Sequence, residues 1–423
     1  MKRFSCITVI TLLLTFCIHN TANAQFWKSI FGKKKKHKTE KKEENVVMPK
    51  PGPLKKKIEI HYPPSVRKST YRIDVLAPLY IDDIAKTDKR LPEKSLTGIE
   101  FYEGIKLAAD SINNFHYNIQ IFVHDIGNIN TSTEALISKH KLDSADLIIG
   151  AVQSRDVFLL AQYAKTHKVN FVSALSPSDA GIKDNPYFIL PQPTLQVHCK
   201  YIMDYIQKKH PNSKINLLYR TSAVLEQNAY NYITGYDHPS SFNKILCNTV
   251  PDRQQLAKFL DSSQVNILVI SVFDNGYADV LLKQVHNRFP NYKFEIYGMP
   301  SWKTLPSLKK ADAYPNFIVY FTTPFYFNTG LPAAQSIERN FRRQYGNKPG
   351  EFVYRAYETL YWYAYLLNQY GTYFNERISD NSAALFTKYE IAPKFDKDLN
   401  YLYNENQHLY LYKYQSGSYI VEQ

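Results

Sequence analysis

The chain has 423 residues, 44% of them hydrophobic and 14% aromatic, an ordinary globular composition rich in 34 Tyr and 24 Phe, and long enough for one large domain or two lobes with their own cores. The formal charge is +14, but Lys2 and Arg3 supply +2 and residues 25–68 carry 14 Lys/Arg against 4 Glu, which leaves +2 for residues 69–423. The folded part is nearly neutral, so a nucleic-acid groove in it has no electrostatic support.

The first residues read as an export signal. Lys2 and Arg3 precede an apolar stretch from Ile7 to Ile18, followed by Ala22-Asn23-Ala24, the small-x-small pattern of a cleavage site before Gln25. The apolar run is shorter than the ~20 residues a membrane span needs. A lipoprotein reading would use Cys17, which the bulky Phe16 before it disfavours. The sequence therefore predicts a soluble or peripheral protein of the periplasm or the extracytoplasmic cell envelope.

Residues 25–69 read as a basic, Pro-containing disordered tail, with Pro49, Pro51, Pro53, Pro63 and Pro64 and several charge blocks. Phe26, Trp27 and Phe31 beside Lys33-Lys34-Lys35-Lys36 suit an anionic membrane surface; a solvated linker fits the same composition, and both can hold. With Cys6 and Cys17 lost on cleavage, Cys199 and Cys247 remain, either bridged in an oxidising compartment or as two buried thiols.

From Tyr71 the pattern becomes regular. Tyr71–Ala77 predicts a strand. Thr97-x-x-Glu100 reads as a capping box before a helix with Phe101, Ile105, Ala108 and Ile112 on one face. A strand at 119–123, a helix at 132–140, a strand at 147–149 ending on Gly150, a helix through Val157 to Ala164 and a strand at 169–172 follow. The rhythm then repeats: a helix at 195–207, strands at 215–219, 244–250, 267–270, 294–297 and 317–321, and helices at 225–233, 254–260 and 278–289 between them. Such alternation implies right-handed βαβ units, and runs such as Leu147-Ile148-Ile149 suit parallel strands buried on both faces. Two helices at 335–345 and 352–367 and short strands at 389–391, 409–414 and 418–421, the last two joined by a Ser416-Gly417 turn, complete the chain.

Four segments in this order carry a resemblance. Gly104-Ile105-Lys106-Leu107-Ala108-Ala109-Asp110-Ser111-Ile112-Asn113, Leu147–Ser154, Val169–Pro177 and Tyr354-Arg355-Ala356-Tyr357-Glu358 resemble the first helix, the third strand with its serine loop, the fourth strand with its Ser/Thr loop and the late helix of type I periplasmic binding proteins, the Leu/Ile/Val-binding branch. The resemblance covers roughly residues 70–423. It implies an α/β fold of two Rossmann-like lobes with parallel sheets, joined by a three-crossover hinge, with residues 70–193 plus 331–386 in the first lobe and 194–330 plus 387–423 in the second.

A ligand would bind between the lobes, at the carboxyl ends of the strands. The resemblance places Gln153, Ser154, Ser173, Ala174 and Ser176 around a ligand carboxylate, and Gln196 where the amino-acid binders carry an acidic partner for the ammonium group. Pro191 replaces a basic residue common in the family, and the tyrosine-glycine loop after Tyr219-Arg220 is absent, leaving Asp274 as the one obvious acidic substitute. A buried ammonium without a carboxylate is costly, so a plain amino acid is disfavoured as ligand. Arg220, Phe273, Tyr80 and Trp302 follow strands and complete the candidate set. Each has a plain alternative: the serines as helix caps, the aromatics as local packing, Arg220 and Asp274 as solvated loop charges.

No His-Glu-x-x-His, Gly-x-Ser-x-Gly or phosphate-binding glycine loop is present, so neither catalytic residues, metal ligands nor a cofactor are expected. The expected activity is binding of a small polar ligand, for ABC-type uptake through a membrane transporter or for sensing. The alternative is an interaction module docking on an envelope complex of peptidoglycan synthesis or transport.

Overall fold

The computed structural model describes residues 60–85, 91–114, 117–236, 241–310 and 313–422. The export signal and residues 25–59 of the tail lie outside the described residues. The chain divides into two units, and Ile60–Asn113 with Tyr117–Gln423 holds all the elements that follow.

In chain order these are β1 (Tyr71–Ala77), α1 (Ile81–Ile84), α2 (Glu93–Asn113), β2 (Ile119–Asp125), α3 (Thr133–Ser138), β3 (Leu147–Gly150), α4 (Ser154–His167), β4 (Asn170–Ser173), β5 (Phe188–Leu190), α5 (Leu195–Lys209), β6 (Ile215–Tyr219), α6 (Val224–Thr234), β7 (Phe242–Leu246), α7 (Arg253–Ala257), β8 (Val265–Ser271), α8 (Asn275–Arg288), β9 (Lys293–Tyr297) and β10 (Phe317–Thr323). Then come α9 (Pro332–Tyr345), α10 (Glu351–Tyr370), β11 (Ile391–Phe395), β12 (Tyr401–Asn406), β13 (Tyr410–Gln415) and β14 (Ser418–Glu422).

Two seven-stranded sheets result, in the orders β11-β12-β5-β4-β3-β1-β2 and β14-β13-β10-β9-β8-β6-β7. The first five strands of each half run parallel in the same winding, reversing at β1/β3 and at β6/β8, with Ile73 opposite Leu147 and Ile215 opposite Ile267. Every residue of β3 and β4 is buried, as is all of β8 after Val265, because helices cover both sheet faces. Each sheet also has an antiparallel edge, β11 on β12 in the first, and β13 on β10 and β14 on β13 in the second. The sheets are thus mixed where the sequence pattern predicts parallel ones. β11 and β12, and β13 and β14, are joined by only a few residues, which permits a hairpin but not a parallel crossover.

The late strands also correct the lobe boundaries. Residues 387–423, expected as a block in the second lobe, divide: β11 and β12 extend the first sheet, and only β13 and β14 join the second. Among the described residues the chain therefore crosses between sheets three times, after β5, after β10 and between β12 and β13.

Two further expectations shift. Helix α2 begins at Glu93 behind Pro92, so Thr97 lies inside it and caps nothing. Glu100 instead accepts a hydrogen bond from the Phe352 backbone at the start of α10, and a Cβ on Gly350 would stand 2.3 Å from its carboxylate. Residues 60–69 are not a free tail. Ser65 Oγ donates to Tyr370 O (2.5 Å), Arg67 Nη2 to Gln369 O (2.7 Å) and Val66 N to Thr372 Oγ1 (3.2 Å). Gly371, at φ 82°, makes room for this strap, since a Cβ there would lie 2.6 Å from Ser65 Oγ.

The first motif helix is held by α10. Gly104 lets the two backbones touch: a Cβ would sit 2.2 Å from Val353 O. Tyr357 OH donates to Ser111 Oγ at 2.8 Å across the same interface. Gly104→Ala therefore forces the helices apart and is expected to cost about 1–3 kcal/mol, read as a lowered midpoint in urea with unchanged far-UV circular dichroism.

Candidate functional site

In a doubly wound sheet the connections on either side of the strand-order reversal diverge and leave a crevice at the carboxyl ends. Here those ends are the segments after β1, β3 and β4 in the first sheet and after β6 and β8 in the second.

In the first sheet, β1 runs into Pro78-Leu79-Tyr80. Tyr80 caps α1 in the left-handed region (φ 55°), a strained conformation for a non-glycine residue. Asp125, at the end of β2, holds it there by accepting from the backbone N–H groups of Leu79 (2.9 Å), Tyr80 (3.0 Å), Ile81 (2.9 Å) and Gly127 (2.8 Å). The Lys94 ammonium lies 4.3 Å from the Tyr80 ring centre. Asp125 went unnoticed in the sequence, where only its place at a strand end marks it.

β3 leads to Gln153 and Ser154, both exposed. Gln153 is the N-cap of α4 and makes no side-chain cap bond, so the first-turn N–H groups of α4 have no side-chain acceptor from it. β4 ends on Ser173, fully buried, whose hydroxyl has no hydrogen-bond partner. Ala174 N donates to Gly150 O at 2.9 Å, tying this segment to the end of β3. Ser176 Oγ accepts from Ser178 N at 3.2 Å in a local turn and caps no helix. Gln196 is exposed in the first turn of α5.

In the second sheet, Arg220 follows β6. Its side chain is 14% exposed, its Nε lies 3.5 Å from Glu226 Oε2, and its Nη1 lies 3.5 Å from Asp274 Oδ2. Its guanidinium sits 4.3 Å from the Tyr277 ring centre. Both Nε and Nη1 are buried without a hydrogen bond. Asp274 caps α8 by accepting from Tyr277 N at 3.0 Å. That N–H first, and the nearby Arg220, hold its carboxyl below the usual range. Glu226, fully buried, accepts from Phe273 N (3.2 Å) and Ser222 Oγ (3.0 Å) and so fixes the loop after β8. It was missed because it opens a short helix with no recognisable motif.

The two aromatic candidates differ. Phe273 is partly buried against the second-lobe core. Trp302 is 0% exposed in that core, and its Nε1 donates to Val272 O at 2.9 Å. Trp302 offers a ligand no surface; the pattern of a strand followed by a loop placed it correctly in the chain but could not tell which way the indole turns.

The structure brings Arg220, Phe273 and Asp274 into one cluster around Glu226, and places Ser173 and Ala174 beside the end of β3. Among the described residues no hydrogen bond or ion pair joins these two groups. Lys303 Nζ pairs with Glu351 Oε2 at 2.7 Å, from the turn after β9 to the first turn of α10. Next to it, Arg355 is buried with Nε and Nη2 unbonded, 5.3 Å from the Phe325 ring centre. Cys199 and Cys247 are both free and buried, and burial pushes each thiol up to about 12. No group of His, Cys, Asp and Glu among the described residues is arranged to hold a metal ion, and no helix among them is long and apolar enough to cross a membrane.

A profile of the periplasmic binding protein family matches residues 94–385. The chain belongs to this family. Periplasmic binding proteins are generally non-enzymatic.

Solved structures agree on the fold at low identity. An ABC transporter substrate-binding protein from Desulfitobacterium hafniense, in complex with Leu, superposes with a TM-score of 0.52 at 15% identity, covering 84% of this chain and 100% of that one. A branched-chain amino acid ABC transporter periplasmic ligand-binding protein from Burkholderia xenovorans gives 0.53 at 13%, covering 84% and 95%. The C-domain of LpoA from Haemophilus influenzae, a regulator of PBP1A, gives 0.53 at 15%, covering 83% and 100%. No curated protein matches the sequence.

Proposed function

We propose that this periplasmic binding protein is an extracytoplasmic solute-binding protein whose lobes close on a small polar ligand, delivered to an ABC-type transporter or sensed. The observation that carries the reading is Arg220. It is a largely buried guanidinium at the strand-order reversal of the second sheet, whose Nε and Nη1 meet Glu226 and Asp274 only as ion pairs at 3.5 Å and make no hydrogen bond, and buried donors without a hydrogen bond are rare enough to call for one. A ligand acceptor group would satisfy Nε or Nη1. Asp274 would take a ligand donor, and the first turn of α4 with Ser173 would take a second acceptor group. Closure would follow as a shift of population toward the closed state.

The test is thermal unfolding of the full chain, without its export signal, against amino acids, short peptides, sugars and cell-wall fragments. A ligand at 100 times its Kd stabilises by about 2.7 kcal/mol, a readable rise in Tm. We expect a ligand that gives such a rise in the wild type and none with Arg220→Ala or Asp274→Ala. A rise that survives both substitutions overturns this placement of the site.

A second reading is a docking module for a cell-envelope complex. It is favoured by the solvent exposure of Gln153, Ser154 and Gln196, which leaves part of the expected pocket open. A broad library with no rise in Tm, together with a stable complex with a peptidoglycan-synthesis enzyme, would select it.

A further inference from the structure

The hinge side of the second sheet carries a groove of about 710 Å³, away from the Arg220 cluster. It is built where the crossovers meet the antiparallel edge. Tyr201 comes from α5, Tyr326 from the segment after β10, Tyr410 and Tyr412 from β13, and Tyr419 from β14. The size falls within the range of about 300–1,000 Å³ of small-molecule sites.

Five tyrosines on one groove need an explanation, because four of them meet one another only edge-on or tilted. Tyr326 is tilted on Tyr410 (5.5 Å) and on Tyr412 (6.2 Å), and Tyr412 meets Tyr419 edge-on (6.4 Å). Tyr419 is 37% exposed, and Tyr201, Tyr326 and Tyr412 are partly so. Tyr412 gives one face to a stack on Phe321 (5.6 Å) and Tyr410 OH accepts from Lys388 N (2.8 Å), so the ring faces and hydroxyls presented together are chiefly those of Tyr201, Tyr326 and Tyr419.

The charges at the rim are compensated among themselves. Lys388 pairs with Glu390 at 2.5 Å, and Glu422 lies 3.7 Å from Lys413 and accepts from Tyr205 OH at 3.2 Å. A charged ligand finds no free counter-charge here. His408 also lines the groove; its Nε2 is buried with no hydrogen-bond partner, and burial draws its pKa down, so that the imidazole is neutral and can donate or accept.

We propose that this groove is a second binding site, for a neutral oligosaccharide. The electron-rich ring faces attract the polarised C–H groups of a pyranose, while tyrosine hydroxyls and His408 Nε2 bond its hydroxyl groups. A peptide would instead need backbone partners; β13 is paired on both sides, with β10 and β14, so only the outer edge of β14 could supply them.

The experiment is isothermal titration of the full chain, without its export signal, with three probes: cellotriose, maltotriose and the trisaccharide of N-acetylglucosamine. At least one is expected to bind. Tyr326→Ala and Tyr419→Ala should each weaken it by about tenfold, the loss of one stacked ring at about 1.4 kcal/mol, while Tyr326→Phe keeps the face and changes Kd by less than about threefold. Each variant's Tm is measured alongside, so that unfolding is not mistaken for lost binding. Arg220→Ala, in the other site, should leave the affinity unchanged. The proposal fails if no probe binds at millimolar concentration, if binding is lost in Arg220→Ala and kept in the tyrosine variants, or if only a tyrosine- or proline-rich peptide titrates into the groove.

Discussion

Trp302→Ala is expected to destabilise the protein by about 3–5 kcal/mol, the range for removing a fully buried tryptophan. The indole fills the second-lobe core beside the ends of β8 and β9, where a Cβ on Gly298 would stand 2.1 Å from its ring. Its N–H holds Val272 O, and the turn that carries it binds the same loop three times more: Ser301 Oγ donates to Phe273 O (3.3 Å), and Asn275 Nδ2 donates to Ser301 O (3.2 Å) and Thr304 Oγ1 (2.8 Å). The loop so held is the one that presents Asp274 to Arg220. Trp302→Phe keeps most of the apolar volume and gives up the N–H with the rest of the second ring, so it should cost less than half as much. Urea denaturation of both variants separates the contributions. Equal losses would mean that the hydrogen bond to Val272, and not the packed volume, holds the turn. Any ligand of the Arg220 cluster should bind more weakly to Trp302→Phe than to wild type, although the side chain touches no ligand, because the position of Asp274 depends on it.

Much of this was legible in the sequence, for a physical reason. Strands buried on both faces leave unbroken apolar runs, and β1 and β6 coincide with the runs at 71–77 and 215–219. The motif glycine Gly104 was legible as part of a resemblance, and its meaning, backbone contact with α10, needed coordinates. What escaped was polar material placed inside. β12 reads Tyr401-Leu402-Tyr403-Asn404-Glu405-Asn406, and its second half resembles a loop. Yet Asn404, Glu405 and Asn406 are all at most 2% exposed. Asn404 Nδ2 donates to Pro186 O (2.9 Å), Asn406 Nδ2 to Pro191 O (3.1 Å), and Glu405 accepts from Thr194 N (2.7 Å) and meets Lys394 at 2.8 Å. These bonds tie β12 to the first crossover, so a hinge strand carries side chains that composition alone assigns to the surface. β5 escaped because three residues are too few to show a period. In the candidate site, residue types at strand ends were readable; which of them turn inward, as Trp302 does, was not.

Glu358, in the late-helix motif, makes the second large prediction. Its carboxylate is fully buried, and Oε1 accepts three backbone bonds, from Leu385 (3.0 Å), Phe386 (2.6 Å) and Thr387 (2.9 Å). Glu358→Ala would leave these donors unbonded in the interior, at a cost of at least about 3 kcal/mol. Glu358→Gln keeps an oxygen in place and should cost little. Burial raises the carboxyl's pKa against the lowering effect of the three N–H groups, so the folded state takes up this proton at a higher pH than the unfolded chain does. The stability contributed by that proton is complete below the unfolded value of about 4.3 and is lost as pH rises through the folded value. Glutamine, always neutral, lacks this dependence. The wild type should therefore gain on Glu358→Gln as pH falls from 8 towards 5, in urea midpoints taken across that range; a gap that widens instead as pH rises would mean that the ionised form is the one the fold prefers. Glu358→Ala should in addition speed amide exchange at residues 385–387. That segment leads directly to Lys388 and β11, so the motif glutamate ties α10 to the chain that returns to the first sheet.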